Sequence, residues 1–334
     1  MTTLSDVARL SGVSPMTASR VLSGARTSDA ARDAVLSAAR ELGYVPNDVA
    51  RGLRASRTGL VALVISDIEN GFYGSIARSA ERALHERGLR LTIASSDEDP
   101  ERELELLTAV RGMRADALLI TPTPDNGDEL VRLRAAGIAV VQLDRTAADT
   151  DLDRVLLDNA AASRAAVEHL AAHGHRRIAL ISGPAGITTG AERARGALDA
   201  AARLPGVEVR VVESASYLHD GARSAVDSAL DDAPTALVAG NNLVLEAVLD
   251  TLAARGIRAP DDLSIVSFDD LPWMRWTAAP ISALRQPVAR MAAAAVDLLM
   301  TTTPTDARSP APPAVERRFE AELVERASVA APPA

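Results

Sequence analysis

From Gly59 onward the chain alternates short apolar runs with stretches of helical periodicity, and this alternation restricts the possible folds more than any other feature. The apolar runs are rich in Val, Ile, Leu and Ala, as strands buried on both faces are. The predicted strands are residues 60–65, 89–94, 117–120, 138–143, 154–157, 178–181, 207–212, 236–239 and 263–268. Helical patterns lie between most of them, for example over residues 73–86, 101–113, 160–173 and 243–255. Repeated strand–helix units predict an α/β fold with parallel sheets covered by helices on both faces.

The number of predicted strands is high for a single twisted sheet, which favours two sheets. We therefore expect two lobes, each with its own sheet, and a cleft between them. In sheets of this kind, ligands bind beyond the carboxyl ends of the strands. The sequence thus places a candidate ligand site in the cleft.

Five of the eight aromatic residues follow only two of the predicted strands. Phe72 and Tyr73 follow the first strand, and Phe268, Trp273 and Trp276 lie at or beyond the end of the last one. Packing in the core stays an alternative for Phe268. Aromatic faces stack on the C–H face of a sugar ring or on a flat base. These positions therefore predict an organic ligand in the cleft.

Polar side chains follow three predicted strands. They are Asp144 with Arg145, Asn241 with Asn242, and Asp269 with Asp270. Carboxylates, amides and the planar fork of an arginine suit a polyhydroxylated ligand. A sugar or a related metabolite is the ligand class that these residue types favour.

The first 46 residues have a different pattern, which predicts three helices. The first covers residues 4–10, and Gly12 ends it. Ser14 caps the second, Pro15 is its first residue, and a third covers residues 28–42. Two short helices joined by a tight turn that contains glycine, with a third as support, form a helix-turn-helix, a DNA-binding arrangement.

The charge is divided between the two parts of the chain. Residues 1–57 hold eight Arg against five Asp or Glu, whereas the whole chain carries a net charge of −9. A basic head can approach phosphates, while an acidic body keeps the protein off non-target DNA.

Residues 47–57 predict a short hinge helix and linker between the two parts. Asn47 can cap a helix that contains Ala50 and Leu53. Such a helix is too short to be stable alone in water. We expect it to fold only when it is paired with its twin and with DNA.

Two motifs in the head are specific. LSDVARLSGVSPMTASRVL over residues 4–22 and LGYVPNDVARGL over residues 42–53 resemble the LacI/GalR (lactose-repressor) family of transcriptional regulators, and the resemblance covers essentially the whole chain. It implies a helix-turn-helix head, a hinge helix and a two-lobed effector domain like the periplasmic sugar-binding proteins. It also implies three crossovers between the lobes, which we place near Asp158, Gln286 and Glu316.

The resemblance implies a set of DNA-binding residues. Pro15 and Met16 fall at positions that select bases, Arg20 at one that contacts a base edge, and Leu53 at one that wedges into the minor groove. Pro15 and Met16 have no side-chain hydrogen-bond donor, so they can recognise only shape or a thymine methyl group. The full predicted set is Ser14, Pro15, Met16, Thr17, Ser19, Arg20, Asn47, Ala50 and Leu53.

The resemblance also implies the positions that face the effector. Arg193, in the segment GAERARG over residues 190–196, falls where the family has its ligand-binding arginine. An aromatic residue often stands where this chain has Ser216, and Tyr217 or Trp273 can compensate for it. The predicted effector-binding residues are Phe72, Tyr73, Asp144, Arg193, Asn241, Asp269, Trp273 and Gln286.

The predicted domains are a DNA-binding head over residues 1–46, the hinge over 47–57 and an effector-binding and dimerisation domain over 58–329. We assign residues 58–158 and 287–316 to lobe 1, 159–286 and 317–329 to lobe 2, and 330–334 to a disordered tail. The C-terminal region lacks leucine heptads, so we expect a homodimer and no coiled-coil tetramer. A two-fold dimer requires a pseudo-palindromic operator.

Several other classes of site are not expected. The chain has no cysteine, and it lacks the glycine-rich nucleotide loops and the nucleophile elbow of common enzymes. His169 and His173 are spaced to chelate a metal, but His175 lies past the helix end at Gly174 and no carboxylate is placed to help. We read these residues as a histidine-rich helix terminus. We therefore expect no metal, no cofactor and no enzymatic activity.

The sequence predicts a DNA-binding transcriptional regulator, a repressor, whose operator affinity is controlled by a small-molecule effector. We expect it in the cytoplasm, because Asp6 and Arg9 interrupt any signal peptide and no apolar run is long enough to span a membrane. A sugar-binding protein and a sugar-processing enzyme on the same α/β scaffold are the alternatives. Activation instead of repression also stays open, because it depends on the position of the operator.

Overall fold

A computed structural model describes residues 2–22, 25–44, 58–301 and 313–333. The chain divides into two compact units between Thr58 and Gly59. The predicted hinge, with Asn47, Ala50 and Leu53, lies outside the described residues.

Within residues 2–22 and 25–44, the N-terminal unit contains three helices, α1 (Leu4–Leu10), α2 (Pro15–Leu22) and α3 (Asp29–Glu41). The side chain of Thr3 accepts from the backbone of Asp6, whose carboxylate accepts in return, so α1 begins with a capping box. The Ser14 hydroxyl accepts from the Thr17 N–H at 3.1 Å and caps α2. These local contacts fix where both helices of the helix-turn-helix begin.

Small side chains let the three helices of this unit pack closely. The buried set is Val7, Ala8, Ala18, Val21, Val35, Ala38 and Ala39. The turn between α1 and α2 contains Gly12 at φ +67°, a conformation in which a side chain would be strained. The apolar face of α2 is therefore held against α1 and α3, and its other face is left to solvent.

Over residues 59–301 and 313–333, the C-terminal unit contains two six-stranded sheets. The strands are β1 (Leu60–Ile65), β2 (Arg90–Ser95), β3 (Ala117–Ile120), β4 (Ala139–Asp144), β5 (Asp153–Leu157), β6 (Arg177–Ser182), β7 (Glu208–Glu213), β8 (Ala236–Ala239), β9 (Ser264–Phe268), β10 (Ser282–Arg285), β11 (Glu316–Phe319) and β12 (Glu322–Val324). The first sheet has the order β11-β5-β4-β3-β1-β2 and the second has the order β12-β10-β9-β8-β6-β7. All neighbours pair in parallel except β10 and β12, which are antiparallel.

Helices cover these sheets, as the alternating pattern predicts. They are α4 (Gly71–His85), α5 (Pro100–Gly112), α6 (Gly127–Ala135), α7 (Asn159–Ala172), α8 (Thr188–Arg203), α9 (His219–Asp231), α10 (Asn242–Arg255) and α11 (Val288–Thr301), with a short 3-10 helix at Pro272–Arg275. The α/β fold class is confirmed, with one sheet in each of two lobes. None of the helices within the described ranges has the length and the apolar character of a membrane span.

The chain passes between the lobes after β5, after β10 and between β11 and β12. The third crossover follows Phe319, which corrects the predicted position at Glu316, because residues 316–319 pair with β5 of lobe 1. The strands β10, β11 and β12 had not been predicted.

The predicted disordered tail is wrong for residues 330–333. The N–H of Ala330 donates to Ser264 at 3.1 Å, and its carbonyl is 2.9 Å from Nε2 of the buried His175. His175 also contacts the Thr235 hydroxyl at 3.0 Å. His175 thus joins the C-terminal segment to the second lobe.

Candidate functional site

The exposed face of α2 carries the predicted base-contacting residues. Pro15, Met16 and Arg20 are exposed, and Met16 is 71% exposed although its side chain is apolar. Thr17 and Ser19 are half-buried beside them. Ala18 and Val21 are buried on the opposite face and hold the helix in place. The face therefore offers a guanidinium, a thioether and small hydroxyls to a binding partner.

The two lobes meet around a cavity at the carboxyl ends of their strands. Seven of the eight predicted effector-binding residues line it: Phe72, Tyr73, Asp144, Arg193, Asn241, Asp269 and Gln286. Trp273 does not line this inner cavity; it lines the wider outer part of the cleft, with Leu271, and packs against the core of lobe 2. The inner cavity has about 390 Å³ of space between its atoms, but the centres of water molecules could occupy only about 20 Å³ of it. This space corresponds to about one or two water molecules, so the inner cavity is narrow in this state.

Strand ends and helix starts position these side chains. Phe72 and Tyr73 lie in the first turn of α4, which Asn70 caps through the Phe72 N–H at 2.9 Å. Asp144 ends β4 and Asp269 follows β9, both with left-handed backbones, at φ +71° and φ +67°. A non-glycine residue seldom adopts this conformation, and it is concentrated at functional sites.

Arg193 lies at the centre of the lobe 2 side of the cavity. Its guanidinium is 4.1 Å from the ring centroid of Phe268 and donates from Nε to Asn159 at 2.8 Å. It also donates to the carbonyl of Gly240 and, at 3.5 Å, to the hydroxyl of Tyr217. Stacking and hydrogen bonds on several sides fix the orientation of this cation before any ligand arrives.

Two buried carboxylates face Arg193. Burial raises the pKa of Asp269 to about 6, although Arg193 and a 2.8 Å hydrogen bond from Gln286 act in the opposite direction. Burial also raises the pKa of Asp144, which accepts from the Tyr73 hydroxyl at 3.3 Å. The carboxylates are thus largely desolvated and suited to accept hydrogen bonds from a ligand.

Several residues of this site were missed as candidates. Arg145 is 2% exposed and donates from both terminal nitrogens to Glu98 at 3.3 Å. Glu98 also accepts from the backbone N–H of Tyr217 at 3.2 Å, which links lobe 1 to lobe 2. The sequence indicates Arg145 only as a polar residue at a strand end and Tyr217 only as a substitute for a missing aromatic residue. Glu98 follows β2, so its position beyond a strand end was the available signal.

Asp270 anchors the backbone beside Asp269. Its side chain is fully buried, and its carboxylate accepts hydrogen bonds from Arg285 and from Arg326. The shortest donor–acceptor distance is 2.7 Å for both arginines. Burial alone would raise the pKa of Asp270, but the hydrogen bonds from the two arginines outweigh it and hold the pKa below its ordinary value. Asp270 therefore keeps its charge and fixes the turn that carries Asp269.

The raised pKa of Asp269 predicts a pH dependence of stability. Between its ordinary pKa of 3.8 and about 6, the folded state holds a proton that the unfolded state has lost, so stability falls as the pH rises through this window. The total loss is about 3 kcal/mol. We expect Asp269→Asn to remove this component in urea denaturation between pH 4 and pH 7. The exposed Asp199→Asn on α8 is the control, and equal pH profiles for both variants would contradict the prediction.

Comparison with known proteins agrees with this architecture. Residues 3–47 match the family of bacterial regulatory proteins called the lacI family, and residues 167–329 match the periplasmic binding protein-like domain. The regulator DegA of Bacillus subtilis is 32% identical over 87% of this chain and 88% of its own. The ribose operon repressor of Bacillus subtilis is 33% identical over 90% of this chain and 91% of its own.

One solved structure covers nearly the whole length. The regulator CelR in complex with cellobiose is 30% identical, covers 98% of this chain and 100% of its own, and superposes with a TM-score of 0.71. A helix-turn-helix unit followed by a two-lobed ligand-binding unit defines a DNA-binding regulator. The chain belongs to the LacI family of bacterial transcriptional regulators.

Proposed function

We propose that the chain is a repressor that binds a pseudo-palindromic operator as a homodimer and a sugar-like effector in the inner cavity. The observation that supports effector binding is the cavity itself, where the guanidinium of Arg193 stacks on Phe268 and faces the carboxylates of Asp144 and Asp269. The relatives support the class of ligand, since one is a ribose operon repressor and another was solved with cellobiose.

The shape of the cavity suggests how the effector acts. Because the inner cavity is nearly filled, we expect a ligand to move the lobes apart and then to stabilise a different relative position of the two lobes. The change in lobe position alters the spacing of the two hinges in the dimer, where Asn47, Ala50 and Leu53 contact DNA. Such coupling between two ligands is reciprocal and is typically worth about 1–3 kcal/mol. We place its action in the cytoplasm, where the DNA is, and assign it no catalytic step.

The effector is identified by thermal unfolding of the full chain against a panel of sugars. A ligand at 100 times its dissociation constant stabilises the folded state by about 2.7 kcal/mol. A sugar that raises the melting temperature should also change operator affinity in a band-shift assay. If no sugar does either, the proposed effector class is wrong; turnover of the bound sugar would favour an enzyme instead.

Arg20 is the residue of α2 for which we predict the clearest effect on DNA recognition. Its guanidinium is exposed on the face that carries Pro15 and Met16 and can pair with a guanine edge. We expect Arg20→Ala to weaken operator binding by about 1–3 kcal/mol and to relax the preference at one base pair. Band-shift titrations against single-base-pair variants measure both effects. A uniform loss across all operator variants would instead make Arg20 a phosphate contact.

A further inference from the structure

Glu98 occupies the inner cavity in an unusual backbone conformation. It follows β2 at φ +59°, and its N–H donates to the Ser66 carbonyl at 3.2 Å. Its carboxylate lies between the lobes, with one oxygen on the guanidinium of Arg145 and the other on the N–H of Tyr217. The Glu98 side chain is only 12% exposed.

This contact neutralises Arg145 as a receptor for anions. Both terminal nitrogens of Arg145 donate to the same oxygen of Glu98, and the guanidinium is almost fully buried. A carboxylate or phosphate that paired with the terminal nitrogens of Arg145 would have to displace Glu98, leaving that charge buried and unpaired. Breaking a buried pair in this way is strongly unfavourable.

The charge balance of the cavity disfavours anions further. Among the lining residues in the described part of the chain, four carry carboxylates and two carry guanidinium groups; these are Asp67, Glu98, Asp144 and Asp269 against Arg145 and Arg193. Arg193 is already in the field of Asp144 and Asp269. An anionic ligand would therefore add a negative charge to a desolvated site with a surplus of negative groups.

The hydrogen-bonding groups that have no partner point to the same class of ligand. Among the residues that the structure describes, Oδ1 of Asp144 and Oε1 of Gln286 are buried acceptors without a donor, and Nε of Arg145 is a buried donor without an acceptor. All three residues line the cavity. A hydroxyl group can donate to the first two and accept from the third, whereas a carboxylate or phosphate group can only accept. A ligand with hydroxyl groups can satisfy both kinds of unpaired group at once.

We infer that the effector is an uncharged polyol or sugar and that Glu98 is the residue that makes the site reject sugar acids and sugar phosphates. The inference rests on the proposed function and narrows its ligand class. Glu98 acts here as a specificity-determining residue, because it occupies Arg145 and supplies part of the negative surplus.

The test uses the full chain and sugars paired with derivatives that share their carbon skeleton and carry a carboxylate or phosphate group. D-ribose is compared with ribonate and ribose 5-phosphate, and cellobiose with cellobionate, by thermal shift and calorimetric titration. In whichever series binds, we expect the neutral sugar to bind at least about 100-fold more tightly than its anionic derivatives, since juxtaposed like charges are costly at an interface. We expect Glu98→Gln to reduce this discrimination by at least about tenfold, because it frees Arg145 and removes one negative charge.

Glu105→Gln on the exposed face of α5 is the matched control, which changes the net charge equally and should leave the discrimination unchanged. An anionic member that binds wild-type protein as tightly as its neutral counterpart would overturn the inference while leaving the proposed function intact. If Glu98→Gln does not fold, the ratio of neutral to anionic ligand affinity in the wild-type protein decides the question alone. If no sugar of the wider panel binds either, the proposed function fails, and the inference fails with it.

Discussion

Replacing Arg193 with alanine is expected to abolish the stabilisation by the effector and to destabilise the protein without ligand. The side chain is 4% exposed, stacks on Phe268 and holds Asn159 and Gly240 through hydrogen bonds. Its removal leaves Asp144 and Asp269 without the nearest countercharge. Breaking a buried charge arrangement in this way costs about 3–5 kcal/mol. The pKa of Asp269 should rise above its value of about 6, because burial acts against a weaker opposing charge.

Thermal and urea unfolding measure both effects, with and without the sugar that stabilises the wild-type protein. Arg195→Ala is the control, since Arg195 lies on the same helix and is exposed. We expect the control to retain both its stability and its thermal shift. An Arg193→Ala variant that keeps the full ligand-induced shift would show that the effector binds elsewhere.

Replacing Gly196 with alanine is expected to disrupt the packing of α7 against α8. A Cβ atom at this position would lie 2.1 Å from the carbonyl oxygen of Ala160 and 2.7 Å from its carbon, both of which are backbone atoms. The helices would have to separate, and such overpacking costs about 1–3 kcal/mol. Arg193 lies one turn earlier on α8, so the separation should also weaken effector binding.

Gly74→Ala provides the contrasting case within another helix. Gly74 lies in α4 and a Cβ atom there would meet no atom within 4 Å. Alanine is the better helix former, so this variant should be more stable by up to about 1 kcal/mol. Urea denaturation of both variants gives the comparison. Equal effects at the two glycines would mean that helix propensity, and not close packing, determines the outcome at Gly196.

The body of the fold was predictable from the sequence where the strands are buried. The run over residues 60–65 is apolar throughout, and the structure has β1 at the same bounds, because a strand covered on both faces needs an unbroken apolar run. The edge strand β11, with the sequence ERRF, has no such run and was missed. Edge strands carry charged side chains to prevent aggregation, so hydrophobic pattern does not reveal them.

The candidate site was predictable in part for a related reason. Side chains that follow strand ends, such as Asp144 and Asp269, converge in any fold of parallel strands. Their left-handed backbones and their partners could not be foreseen, because both depend on how neighbouring segments of the same lobe pack, as Tyr73 does against Asp144 and Gln286 against Asp269. Glu98 and Arg145 are distant in sequence, and only the structure shows that the Glu98 carboxylate pairs with the Arg145 guanidinium.

The histidines show a case in which the sequence pattern did not indicate the role of a residue. A cluster at a helix end raised the possibility of a metal, but His175 is buried and its ring nitrogens contact Thr235 and Ala330. Its contact with Ala330 depends on the C-terminal segment that was predicted to be a disordered tail. Composition alone could not indicate that a distant imidazole binds this segment.

The most direct measurement is operator affinity with and without the stabilising sugar, in wild-type protein and in Arg193→Ala at a temperature where both are folded. We expect the sugar to change wild-type operator affinity by a factor of about 5–150 and the operator to change sugar affinity by the same factor. The variant should bind the operator with an affinity that does not respond to the sugar. A sugar that binds the cavity of the wild-type protein and leaves its operator affinity unchanged would contradict the proposed regulation.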